Sequence, residues 1–151
     1  MLDAIRQNSE SVTVQDSGLN VLLNIALTES TRDSIMSGNV VPSVVAALKR
    51  FGAESTRVSL YGFALLSSLA RGDSRNREII VDQGAVKIST MALRNHYGSE
   101  EIQVNGIGLL ANLAVNKHRE SKLFEGVVGT VVTSAPGEET IPNQGSRDLI
   151  M

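Results

Sequence analysis

One segment occurs three times in this chain, each copy forty-four residues after the last. It reads VQDSGLNVLLNIA at 14–26, VSLYGFALLSSLA at 58–70 and IQVNGIGLLANLA at 102–114. Gly18, Gly62 and Gly106 fall in one column, as do Leu22, Leu66 and Leu110, and Ala26, Ala70 and Ala114. A period of this length belongs to helical solenoids, whose units leave an apolar face for their neighbours to cover. In the first copy Val14, Gly18, Val21, Leu22 and Ile25 stand at i, i+4, i+7, i+8 and i+11, one face of a helix. Val58, Gly62, Leu65, Leu66 and Leu69 repeat that face, and Ile102, Gly106, Leu109, Leu110 and Leu113 repeat it again. The spacing predicts three helices with equivalent buried stripes. A glycine inside a helix costs ~1 kcal/mol relative to alanine. Three in one column predict that a neighbouring helix comes close at that point.

Between the copies lie two further helical stretches. TRDSIMSG (31–38) predicts a short helix and VPSVVAALKRF (41–51) a longer one, with Pro42 suited to its first turn. Their counterparts are NREIIVDQG (76–84) and AVKISTMALRNH (85–96). Arg32 pairs with Arg77, Ile35 with Ile80, Val41 with Val86 and Leu48 with Leu93, each 45 residues apart. Gly52 and Gly98 are expected to end the longer helices. HRESKLFEGVV (118–128) matches the short helix. GTVVTSAPGEETIP (129–142) is expected to form a stub and a loop, and IPNQGSRDLIM (141–151) resembles the start of a fourth copy. DAIRQN (3–8) aligns with MALRNH (91–96) two periods on. The chain therefore reads as one segment: a partial repeat at 1–12, repeats at about 13–56, 57–100 and 101–140, and the start of another at 141–151. It opens inside one repeat and closes inside another, as a piece of a longer array would. Such ends are open to end-to-end stacking or self-association.

Composition narrows the function. No cysteine is present, so disulfides, thiol chemistry and cysteine metal sites are excluded. The formal net charge of −2 carries no polyanion footprint, and no nucleic-acid partner is expected. No apolar stretch approaches the ~18 residues of a membrane span, and MLDAIRQNSES lacks a signal-peptide core. The expected location is intracellular and cytoplasmic, with the nucleus left open. NGIGLLA (105–111) matches a loose dinucleotide fingerprint, but SEEIQV before it reads as a helix start with Ser99 as cap, not a strand. The RGD at 71–73 is expected in a turn. His96 and His118 stand in no triad-like pattern, and no catalytic residue, metal site or cofactor is expected.

The repeat resembles the armadillo family, with one short and two longer helices per unit. The endings LLNIA (22–26), LLSSLA (65–70) and LLANLA (109–114) resemble that family's third helix. SGNVV (37–41) and DQGAV (82–86) resemble its junction between first and second helices. The resemblance covers essentially the whole chain. It implies an all-α, right-handed superhelical solenoid; a HEAT-like α-α solenoid is the nearest rival, with two helices per unit. It also implies a groove of third helices that binds an extended protein or peptide segment through a ladder of Asn side chains. The ladder column here holds Asn24, Ser68 and Asn112. The column where nuclear-import adaptors carry Trp holds Asn20, Ala64 and Gly108, so the cation–π slots for Lys and Arg stems are absent.

The same face follows from helix geometry. Thr13/Arg57/Glu101, Ser17/Tyr61/Asn105, Asn20/Ala64/Gly108 and Asn24/Ser68/Asn112 run i, i+4, i+7 and i+11 along each third helix. Small and amide side chains there leave room for a ligand backbone and offer it both donors and acceptors. Asn20, Asn24, Arg57, Tyr61, Ser68, Asn105 and Asn112 are thus the candidate groove residues of a non-catalytic interaction scaffold. The alternative is an architectural segment that stacks on neighbouring repeats and holds no groove ligand.

Overall fold

The structure, a computed structural model, describes residues 2–115. Within them the chain is all-α: α1 (Leu2–Gln7), α2 (Val12–Ile25), α3 (Glu29–Ser37), α4 (Val41–Phe51), α5 (Thr56–Ala70), α6 (Ser74–Asp82), α7 (Ala85–Asn95) and α8 (Glu100–Ala114). The expectations for 118–128, 129–142 and 141–151, and for His118, lie outside the described residues.

α2, α3, α5 and α6 start where a side chain supplies an acceptor for the helix's orphan N–H groups. Ser11 Oγ accepts from the Val14 N–H and Ser55 Oγ from the Val58 N–H. Thr28 and Thr31 form a reciprocal capping box on α3. Pro42 stands in the first turn of α4 as expected. Ser99 sits at the cap position of α8 with extended backbone, but its side chain makes no capping bond. Gly98 does not end α7, which stops at Asn95 with His96 as its cap. Between α3 and α4, and again between α6 and α7, one residue turns into the left-handed region: Asn39 (φ 54°) and Gly84 (φ 84°). These equivalent positions hold the two residue types that best tolerate that conformation.

The glycine column has a definite packing cause. A methyl group added at Gly18 would stand 2.6 Å from Ile5 Cγ1, at Gly62 2.7 Å from Leu48 Cδ2, and at Gly106 2.6 Å from Leu93 Cδ2. A buried side chain of α1, α4 or α7 seats itself against the backbone of the following long helix. What comes close is thus a side chain, not a helix backbone. Beside each contact a polar side chain closes the end of the same preceding helix. Gln15 Nε2 donates to the Ile5 and Asn8 carbonyls, and Gln103 Nε2 to the Leu93 and His96 carbonyls. Ser59 Oγ, between them in the column, donates to the Gly52 carbonyl at 2.7 Å. His96 Nε2 bonds the same carbonyl at 2.6 Å. These bonds satisfy carbonyls that a helix C-terminus leaves without intrahelical partners.

α5 packs between α2 and α8, over α4 and α6, and holds the centre of the core. Phe63, Leu65, Leu66 and Leu69 are fully buried there, each worth about 1.5–3 kcal/mol relative to exposure. The three apolar stripes are not equivalent. Leu65, Leu69, Leu109 and Leu113 are buried, whereas their counterparts Val21 and Ile25 are 44% and 41% exposed. α5 has α2 before it and α8 has α5, but no described helix of this kind stands before α2.

Candidate functional site

The candidate face is carried by α2, α5 and α8, which lie side by side with α5 in the middle. Polar rungs tie these adjacent helices together. Ser68 Oγ donates to the Ala26 carbonyl at 2.8 Å. Asn112 Nδ2 donates to Ser67 Oγ at 2.8 Å and to the Ser67 carbonyl at 3.4 Å.

These rungs revise the expected ladder. Ser68 is only 8% exposed and its hydroxyl closes the end of α2. It joins two helices and does not present a group to a ligand. The physical reason is local: the C-cap carbonyl of Ala26 has no intrahelical donor, and the side chain at 68 is the one that reaches it. Asn112 is half-buried and turns its amide nitrogen toward α5. Asn24 is exposed, and its Nδ2 donates to the Asn20 carbonyl at 3.0 Å and to Asn20 Oδ1 at 3.3 Å. Asn105, half-buried, donates to the Glu101 carbonyl at 2.8 Å. The bonds of Asn24 and Asn105 lie within a single helix, so a ligand backbone could replace them without parting two elements. Around Gly108 nothing lies within 4 Å of where a Cβ would be, so the face is open at that point.

One residue of the site is absent from the sequence-based set. Asp16 on α2 pairs through Oδ2 with Arg57 Nε on α5 at 3.3 Å, and its side chain is 11% exposed. Its Oδ1 accepts from Ser17 Oγ at 3.1 Å. The Arg57 guanidinium also lies over the Tyr61 ring, 6.0 Å from its centroid. The sequence held a signal for this contact: Asp16 is a lone carboxylate in a column otherwise filled by Leu60 and Val104.

Other singled-out residues turn out to be structural. Arg77 Nη1 donates to the Ala70 and Gly72 carbonyls, and its counterpart Arg32 to the Leu27 carbonyl. Both close the end of the preceding long helix. The RGD stretch turns between α5 and α6, with Asp73 capping α6. The dinucleotide-like stretch lies inside α8, with no strand among the described residues. Clefts lined by Leu48, Gly52, Ile88 and Met91, and by Leu2, Leu22, Ile25 and Ile35, include none of the candidate groove residues.

Among the described residues no group of three His, Cys, Asp or Glu side chains could hold a metal ion. No described helix is long and apolar enough to cross a membrane. Comparison with family models, with curated proteins and with solved structures yields no match to this chain.

Proposed function

We propose that this chain is a segment of an armadillo-type, right-handed superhelical solenoid that binds an extended protein segment along the face of α2, α5 and α8. The role is non-catalytic. Asn20, Asn24, Asn105 and Asn112 bond the ligand backbone, and Arg57 and Tyr61 contact its side chains. The observation that carries this reading is that α5 packs between two like helices, α2 and α8, and that Asn24 and Asn105 on these helices bond only within their own helix. Such amides can exchange a local bond for one to a ligand at little cost. Ser68 has no part in binding and serves as a rung between α2 and α5.

The test is peptide selection. Random extended peptides are panned on the chain, and the winners are measured by calorimetry against Asn24→Ala and Asn112→Ala. Each substitution should weaken binding by about 1–3 kcal/mol, the cost of unmet hydrogen bonds at a desolvated contact. Dissociation constants unchanged in both variants would sink the groove assignment.

A second reading has its own support in the exposed Val21, Ile25 and Leu27 at the α2 end. An architectural segment would use them to stack on a neighbouring repeat. Strong, concentration-dependent self-association that Val21→Glu abolishes would favour this reading.

A further inference from the structure

Arg57 differs from the other groups on the amide face, because two side-chain contacts flank a guanidinium that stays exposed. It sits in the first turn of α5. Its Nε is held by Asp16, a carboxylate itself nearly buried and oriented by Ser17. Its guanidinium carbon lies over the Tyr61 ring, 6.0 Å from the centroid. The side chain is nevertheless 64% exposed. Among the described residues neither Nη group has a hydrogen-bond partner, so both keep their N–H donors for a ligand.

We propose that Arg57 takes one carboxylate of the bound segment, gripped end-on by its two Nη groups. This rests on the groove reading above and gives that groove a ligand chemistry. A planar pair of parallel donors matches the two oxygens of a carboxylate, and such bidentate pairs are among the stronger hydrogen-bonded contacts. Asp16 and Tyr61 flank the side chain, so part of its rotamer freedom is spent before a ligand binds. The surrounding charge sets the valence. Asp16 lies on the Nε edge, and Glu101 stands at Arg57's register on α8. A dianion such as a phosphoryl group would meet both at twice the charge, whereas a carboxylate uses the directional donors at half that repulsion.

The same peptide panning tests the idea, run in parallel on the natural chain, Arg57→Gln and Arg57→Lys. Circular dichroism first establishes that all three fold alike. The natural chain should select peptides sharing one acidic position. Arg57→Gln should select the same consensus with that position randomised, and Arg57→Lys should keep a weaker acidic preference. A synthetic winner carrying Glu at that position should bind the natural chain roughly tenfold or more tighter than its Gln version, and bind Arg57→Gln equally in both versions. Equal affinity of the Glu and Gln peptides for the natural chain would overturn it. So would an acidic preference that survives in Arg57→Gln, or a phosphoserine version that binds more tightly than Glu. A consensus lacking any acidic position defeats this inference alone, while the absence of any consensus defeats the groove as well.

Discussion

Leu93 on α7 occupies the space that a side chain at Gly106 on α8 would need. A Cβ there would lie 2.6 Å from Leu93 Cδ2 and 3.1 Å from Cγ. Leu93 is buried and cannot swing aside without disturbing its own neighbours. The same relationship joins Leu48 to Gly62 and Ile5 to Gly18. Three units thus share one contact in which the absence of a side chain is what the packing requires.

Two glycines in one helix should therefore answer oppositely to the same substitution. Gly106→Ala gains ~1 kcal/mol of helix propensity but incurs about 1–3 kcal/mol of overpacking, for a net loss of up to about 2 kcal/mol. Gly108→Ala meets nothing within 4 Å and should raise stability by up to about 1 kcal/mol. Urea unfolding of both variants decides. Equal midpoints, or a stabilised Gly106→Ala, would refute the contact's importance.

Gln103 closes the end of α7 by donating to the Leu93 and His96 carbonyls at 2.8 and 3.1 Å. Gln103→Met keeps the length of the side chain and removes the donor, so a loss of about 1–3 kcal/mol is expected. Gln103→Glu should cost more at neutral pH, because a carboxylate then faces two carbonyl oxygens. That extra deficit should shrink in acid, where a protonated Glu can donate again. A deficit independent of pH would show that the carbonyl contacts are not what Gln103 contributes.

Asp73 gives the chain a pH dependence of known sign. The Arg75 backbone N–H donates to its Oδ1 at 3.1 Å, and Ser74 Oγ donates to the same oxygen at 3.1 Å. These bonds hold its carboxyl below the ordinary value of 3.8, the Arg75 N–H foremost. A group whose folded value is depressed favours folding while ionised. Its contribution is therefore complete above 3.8 and is lost as pH falls through the lower folded value. NMR titration of the Asp73 carboxyl carbon should give a lower midpoint in the folded chain than in an unfolded peptide. The stability gap to Asp73→Asn should narrow over the same acid range. A midpoint at or above that of the peptide would reverse the sign and exclude the cap as its cause.

The period, the three long helices and the α4 span of 41–51 were all legible in the sequence, because helix formation follows from residue spacing and caps within one segment. The significance of the glycine column was also legible, since only a close neighbour justifies so costly a residue in the same place three times. Spacing reports which side of a helix is apolar, but not which element stands against that side. Hence Val21 and Ile25 share the pattern of Leu65 and Leu69 yet remain exposed. Hence Ser68, in a column of amides, turns out to close the end of α2. Hence Asp16 and Arg57, forty-one residues apart and unremarkable as a pair, meet across two helices. The sequence by itself determined the helices and their common face. Only the tertiary structure decided which polar groups on that face join the helices together and which remain available to a ligand, because that depends on the distance to a group on another helix.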